Sequence, residues 1–267
     1  MTKPLRIGAL EPSQVVARAI TWTRQAGQIA MRHFSNVSAE YKPDNTLLTR
    51  ADTEIEQFLV EQVQTAYPGH GLLAEEGARV RAAPFAPYTW VIDPLDGTTV
   101  FAQGLPGWGI AVALLYRTRP VLGLFYMPLL DDLTYAVNGQ VYHNGGRLGQ
   151  TLRSEWGRKG FLAVSAGTHH DFDIDAPRTR AIGSVGASLV YTARGSASAA
   201  FIPKAYLWDL AAGATILNQV GGRLCYLSGR PVDYGPLFDG RLAPEPIIAG
   251  HPALLAELQS AIRPRNG

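Results

Sequence analysis

The apolar run Tyr88-Thr89-Trp90-Val91-Ile92 ends directly on Asp93-Pro94-Leu95-Asp96-Gly97-Thr98-Thr99. β-Branched and aromatic residues at this density read as a strand, and the Pro- and Gly-containing segment reads as the turn that closes it. Two carboxylates three residues apart across such a turn, with the Leu95 carbonyl between them, can be aimed at one point. Oxygen-only donors of this kind suit hard divalent cations, above all Mg²⁺. Gly97 lets a ligand approach the backbone closely, and the N–H groups of Gly97 and Thr98 can open a helix and hold an anion. An ordinary Asp-rich turn with an N-cap has the same spacing, so the segment needs support from the rest of the chain.

Around it, helix and strand patterns alternate. Helical spacing of apolar residues runs over Pro12–His33 and Asp52–Thr65; strands are predicted at Trp108–Tyr116, Val121–Met127 and Leu133–Val137. The polar stretch Gly145–Lys159 divides the chain, giving an N-terminal half (1–150) and a C-terminal half (151–267). In the second half, strands are predicted at Phe161–Ser165, Ala199–Ile202 and Pro246–Ala249, with a strand-like run around Cys225. Helices are predicted at Ala187–Arg194, Asp209–Val220 and His251–Ile262. This alternation implies an α/β fold of sheets layered with helices.

Three more acidic features accompany the central motif. Adjacent acids follow an apolar run in Leu72-Leu73-Ala74-Glu75-Glu76-Gly77. Asp52 precedes the second helix in Thr49-Arg50-Ala51-Asp52, and Asp209 opens a later one in Trp208-Asp209-Leu210-Ala211-Ala212-Gly213. Each has a plain explanation as a solvated turn or a cap. In combination and in this order, they resemble the inositol monophosphatase family of Mg²⁺-dependent phosphatases. Lys42-Pro43-Asp44 is similar to that family's metal-site loop, and Gly183-Ser184 and Arg194-Gly195 match around a helix; the likeness runs from about residue 12 to 262.

The resemblance implies a layered α/β/α/β/α sugar-phosphatase fold and hydrolysis of a small phosphomonoester: inositol monophosphate, or a related polyol or sugar phosphate. It places Glu75, Asp93 and the Leu95 carbonyl on one Mg²⁺, and Asp93, Asp96 and Asp209 on a second. Asp52 and Glu75 would lie on the side of the attacking water, around a third metal in some members, with Thr98 orienting that water. The Gly97 and Thr98 amides would hold the phosphate, with Gly183 and Ser184 beside them. It further implies a homodimer and lithium sensitivity. Fructose-1,6-bisphosphate, histidinol phosphate and adenosine 3′,5′-bisphosphate are the alternative substrates; a catalytically silent dimeric binding protein is the alternative from another class.

The chain departs from the family pattern at three places. Val100 stands where Asn is usual. Ser198 and Ile202 occupy positions that carry an Asp and a ring-contacting Glu in inositol-specific members, which weakens the inositol assignment because losing a hydroxyl acceptor costs discrimination. Lys204, close by, is a candidate contact for a second anionic group. The His169-His170 pair with Asp171 and Asp173 reads as a solvent-facing loop ahead of a substrate contact or a metal site.

Composition bounds the rest. Lys and Arg total 24 against 22 Asp and Glu, a formal charge of +2, which disfavours nucleic acid as the main partner. The longest apolar stretch, Ile110–Tyr116, is far short of a membrane span, and Arg6 and Glu11 interrupt any signal-peptide core, so a cytoplasmic protein is expected. A single cysteine, Cys225, permits no internal disulfide and reads as a core residue.

Overall fold

Strict alternation along two central strands divides the chain into layers. The computed structural model describes residues 12–265 apart from 35, 36, 38, 43–46, 78, 81–86 and 150. In the strands Tyr88–Asp96 and Gly109–Tyr116, Val91, Ala111, Ala113 and Leu115 join one core. Trp90, Ile92, Ile110, Val112 and Leu114 join another on the opposite face. Both faces are covered, which is why these strands read as unbroken apolar runs rather than as alternating ones.

The sheet they belong to has eight strands. Its order is Gly146–Arg147, Gln140–His143, Asp132–Val137, Arg119–Met127, Gly109–Tyr116, Tyr88–Asp96, Gly71–Ala74 and Arg79–Val80. Every pairing is antiparallel except that of Gly71–Ala74 with Tyr88–Asp96, which is parallel. Helices α1 (Pro12–His33) and α2 (Arg50–Ala66) cover its outer face. Their buried residues, Val15, Ala19, Trp22, Ala26 and Ile29 on α1 and Ile55, Leu59 and Val63 on α2, recur every three or four positions. The short helices α3 (Thr98–Ala102) and α4 (Thr168–Asp171) lie outside the main layers.

Helices α5 (Val185–Ala193) and α6 (Leu207–Gln219) form the middle layer. All of Leu207–Leu217 except Asp209 is buried below the ordinary surface level, the pattern of a helix enclosed on every side. Close approach is built in at two glycines. A Cβ on Gly123 would sit 2.5 Å from the Ala212 carbonyl oxygen, and one on Gly213 would sit 2.7 Å from Leu189. A second sheet follows, ordered Thr179–Ala181, Leu162–Val164, Ala199–Ile202, Ile247–Gly250 and Arg223–Tyr226; its first three strands are parallel. Helix α7 (Pro252–Ala261) packs Leu255 and Leu258 onto it. The order of layers is therefore α/β/α/β/α. Among the described residues, no helix is long and apolar enough to cross a membrane.

Most predicted elements appear within two residues of their expected ends. The terminal helix stops at Ala261, because Ile262 enters a two-stranded ribbon of Ile262–Pro264 with Phe172–Ile174. His169 and His170 fall in the one-turn helix α4, both exposed, with His169 Nδ1 3.0 Å from the Ala166 carbonyl oxygen. Cys225 is half-buried rather than core, since Arg223–Tyr226 is the outer strand of its sheet.

Candidate active site

The parallel pairing of Gly71–Ala74 with Tyr88–Asp96 sets Ala74 opposite Ile92, which carries Glu75 and Asp93 out of the sheet side by side. The Glu75 amide donates to the Ile92 carbonyl at 3.3 Å. On the other edge, pairing with Gly109–Tyr116 holds to Asp93, slips across Pro94 and Leu95, and resumes at Asp96. Proline has no N–H to give a ladder, so the slip falls where a donor is already missing. The Leu95 amide turns back to Asp93 Oδ1 at 3.0 Å. Gly97 then adopts φ +96° and caps α3. A Cβ there would lie 3.1 Å from the Gly183 carbonyl and 3.2 Å from the Cβ atoms of Ser184 and Trp108, so glycine is required twice over.

Helix α2 supplies the next acids. Thr49 is its N-cap: its hydroxyl accepts from the Ala51 amide, and its own N–H donates to Asp52 Oδ2 at 2.7 Å, closing a capping box. Asp52 is fully buried, and burial raises its carboxyl above the usual range against the opposing Thr49 bonds. Thr98 Oγ1 lies 3.0 Å from Asp52 Oδ1 and 3.0 Å from the Leu95 carbonyl oxygen, so α3 joins α2 to the turn. One turn beyond Asp52, Glu56 is 6% exposed, and its Oε2 accepts the Glu76 amide at 2.7 Å. Lys42 Nζ reaches Glu75 Oε1 at 3.0 Å and Glu76 Oε1 at 2.6 Å. Burial pushes Glu76 up to about 7, more than the Lys42 hydrogen bond lowers it. Lys42 is itself raised, its burial outweighed by the two carboxylates.

The middle layer completes the cluster. Asp96 Oδ2 accepts from Ser184 Oγ at 2.7 Å and from the Gly186 amide; Asp96 Oδ1 accepts from the Val185 amide at 3.1 Å. Ser184 in turn caps α5 through the Ala187 amide at 2.9 Å. Gly186 leaves the space: a Cβ there would stand 2.6 Å from Asp96 Oδ2 and 2.3 Å from the Phe125 ring. Asp209 caps α6 by accepting the Tyr206 amide at 2.7 Å.

Asp93 and Asp209 are raised well above the carboxylate range, first by burial and then by their neighbours. Glu75, Asp96 and Asp209 repel Asp93; Asp96 and Glu75 repel Asp209. Asp96 rises to about 6 because burial exceeds the effect of its three donors. Four acids, three at the end of the first sheet and Asp209 on the middle-layer helix, thus form one field of like charge. Such a field is stable only when protonated or when a cation enters it.

The donor set fits a hard divalent cation: carboxylate and carbonyl oxygens only, with a net negative charge to neutralise. Among the described residues, however, no three His, Cys, Asp or Glu side chains are gathered as they stand into a ligand group. The hydrogen bonds explain this. Asp96 faces the start of α5, Asp52 faces Thr49 and Thr98, and Glu75 is held by Lys42.

A sequence model of the inositol monophosphatase family matches residues 11–263. The chain belongs to this family. Inositol monophosphatases are generally metal-dependent phosphatases, which agrees with the donor chemistry. An inositol-1-monophosphatase of Bacillus subtilis (strain 168) is 29% identical, with 87% of this chain and 90% of that protein aligned. A putative Nus factor SuhB of Neisseria meningitidis (serogroup B, strain ATCC BAA-335 / MC58) is 32% identical over 90% and 94%. Among solved structures, a staphylococcal inositol monophosphatase-1 in a lithium chloride-soaked inhibitory complex superposes with a TM-score of 0.83 at 21% identity, covering 95% of this chain and 96% of that one. It shares the inositol monophosphatase fold.

The structure brings Asp52, Glu75, Asp93, Leu95, Asp96, Gly97, Thr98, Gly183, Ser184 and Asp209 together. Val100 packs here as well, since a Cβ on Gly183 would come within 2.5 Å of its Cγ1. Lys204 is exposed. Ser198 and Ile202 are both buried, the first within 3.2 Å of the Trp156 carbonyl oxygen and the second in the core against α5 and α6. Pro43 and Asp44 lie outside the described residues. Two contributions escaped the sequence reading: Glu56, and the hold of the α5 N-terminus on Asp96. Glu56 had a signal, because with Asp52, Ile55, Leu59 and Val63 it falls on the inward helical stripe, but only apolar members of that stripe were counted.

Proposed function

We propose that this chain is a Mg²⁺-dependent phosphatase that hydrolyses a small phosphorylated polyol or sugar. The observation that carries the reading is the convergence of Glu75, Asp93 and Asp96 from the first sheet with Asp209 from the middle layer, close enough to repel one another. Glu75, Asp93 and the Leu95 carbonyl would hold one ion and Asp93, Asp96 and Asp209 a second, with Asp52 and Glu75 beside any third. When bound, Mg²⁺ supplies charge to the phosphoryl oxygens and acidifies water.

The chain's own part is positioning and proton placement. Thr98 Oγ1, held between Asp52 and the Leu95 carbonyl, would orient the attacking water together with Glu75. The amides of Gly97 and Thr98, at the start of α3, serve the phosphate, with Gly183 and Ser184 opposite. Residues 1–150 furnish most of the donors, and residues 151–267 furnish Asp209 and the substrate wall. That wall has no acid at Ser198 or Ile202, so recognition of an inositol ring through those positions is not available. The same reading includes a cytoplasmic homodimer and inhibition by lithium, as in the staphylococcal relative's complex.

A second reading takes its support from the relatives named as Nus factors: a protein whose main work is binding a macromolecular partner. Its conflict is with the acid cluster, which binding alone would not need at such electrostatic cost. Purified protein assayed against a panel of phosphomonoesters, with Mg²⁺ and with chelator, decides between them. Turnover that chelator abolishes, and that Asp93→Asn removes while the protein remains folded, is the expected result. Metal-independent turnover, or none on any phosphomonoester, would overturn the proposal.

A further inference from the structure

The acid cluster leaves unexplained a cavity of about 660 Å³ beside the carboxyl end of the second sheet. Small-molecule sites commonly span roughly 300–1,000 Å³, so its size is that of a ligand site. It opens between the strand end at Val164 and Ser165, the outer edge of Thr179–Ala181, which is unpaired among the described residues, and the ribbon that carries Arg263 and leads into Asp175.

Connectivity ties this cavity to the acid cluster. Leu162–Val164 and Thr179–Ala181 are parallel, in register from Leu162 with Thr179 to Val164 with Ala181, so their carboxyl ends lie together. That end of a parallel sheet is where open α/β folds bind ligands. Ser184, which holds Asp96, follows Ala181 by three residues, and three residues of chain span at most about 11 Å. Ala181, on the cavity wall, is therefore no more than that reach from Ser184 in the acid cluster.

Charge selects the ligand. Arg265 Nε is already bonded to Asp173 Oδ1 at 2.7 Å. Among the described residues, Arg263 and Asp175 make no ion pair, and they cancel. The two arginines and two aspartates of the lining sum to zero, so a second phosphate would leave its own charge uncompensated there. A ring of hydroxyls meets no such conflict: it donates to Asp175, accepts from Arg263, and does either with Ser165 and Thr179. Thr168 also lines the cavity, 4% exposed, and its hydroxyl has no partner among the described residues.

We infer that this cavity receives the far part of the substrate, and that this part is a neutral polyhydroxyl unit such as a second sugar ring. The inference rests on the phosphatase reading and deepens it. It also accounts for Ile202, since recognition through the far unit does not need an acid beside the near ring.

The test compares kcat/KM with Mg²⁺ for glycerol 2-phosphate, trehalose 6-phosphate and fructose 1,6-bisphosphate, in the unaltered protein and in the double variant Asp175→Ala/Arg263→Ala. In parallel, saturation-transfer NMR measures binding of unphosphorylated trehalose to both. The unaltered protein is expected to favour trehalose 6-phosphate, and the double variant to lose about tenfold on it, the value of a charged hydrogen bond, while glycerol 2-phosphate changes by less than about twofold. An equal rate on trehalose 6-phosphate in both proteins, or a loss confined to the bisphosphate, overturns the inference. If no phosphomonoester is hydrolysed, the phosphatase reading fails by itself and NMR decides: a transfer signal weakened by the double variant supports the cavity, and no signal overturns it.

Discussion

Ser184 Oγ donates to Asp96 Oδ2 at 2.7 Å, joining residues 88 positions apart in the chain, one at the start of the middle-layer helix α5 and the other at the end of a first-sheet strand. The same oxygen accepts the Ala187 amide and so caps α5. One hydroxyl therefore fixes an acid of the proposed metal site and the start of the helix that packs beneath it. Ser184→Ala removes both roles. An N-cap is worth about 0.5–2 kcal/mol, and a buried carboxylate losing a donor adds to it, so a loss of about 1–3 kcal/mol is expected. For a chain of this size the midpoint of thermal unfolding should fall by roughly 2–4 °C per kcal/mol. Calorimetry reads this directly, and an unchanged midpoint would remove Ser184 from the account.

Glu56 offers a sharper separation of positioning from stability. It holds the Glu76 amide, and with it the turn that presents Glu75. Glu56→Gln keeps an acceptor oxygen, whereas Glu56→Leu leaves a buried amide without one. Expected is a fall in kcat of about tenfold or more for Glu56→Leu with KM little changed, and a much smaller fall for Glu56→Gln. If both variants change kcat alike, the charge of Glu56 acts in some way other than through that amide.

The helices α1 and α6, the central strands and the order of acidic motifs were legible because each is a local pattern: apolar spacing, β-branched density, or a short run ending on a turn. The site's internal bonds were not. Asp96 and Ser184, or Lys42 and the Glu75-Glu76 pair, are brought together by packing over long separations, and nothing local in the sequence marks them. The ribbon of Phe172–Ile174 with Ile262–Pro264 was missed for a different reason: three residues are too few to show a period of two. Asp52 was legible as a possible cap, and it proved to be the acid of a capping box headed by Thr49.

Lys42 is the cation the described structure places on this acid cluster, with its side chain 17% exposed and those of Glu75 and Glu76 at 21% and 11%. Lys42→Met leaves two half-buried carboxylates facing each other. Removing one partner of a fully buried pair costs 3–5 kcal/mol; discounted for the remaining exposure, about 1–2 kcal/mol is expected here. Glu76, already at about 7, should rise further once the bond that lowers it is gone. Adding Glu76→Gln to Lys42→Met should recover part of the loss, a coupling that urea titration of the four proteins in a double-mutant cycle measures. Additive losses would mean that the pair does not interact as described.

His70 tests the outer layer, away from the acids. Its ring is stacked between Tyr67 and Tyr88, with centroids at 5.0 and 5.2 Å, and its Nδ1 lies 3.1 Å from Trp90 Nε1. Indole nitrogen only donates, so Nδ1 accepts and the ring is neutral. Burial lowers the imidazole below its usual value, consistent with that tautomer. The folded chain therefore binds a proton less readily than the unfolded one. The stability that follows is fully present above the unfolded value of about 6.5, and it is lost as pH falls through the lower folded value. Protonation also takes away the acceptor from Trp90. Between about pH 7 and about pH 5, the urea midpoint of the unaltered protein should drop more than that of His70→Gln, which offers a carbonyl oxygen and does not titrate. The tryptophan fluorescence should shift over the same range in the unaltered protein alone. Equal pH slopes in the two proteins would show that His70 is not the group responsible.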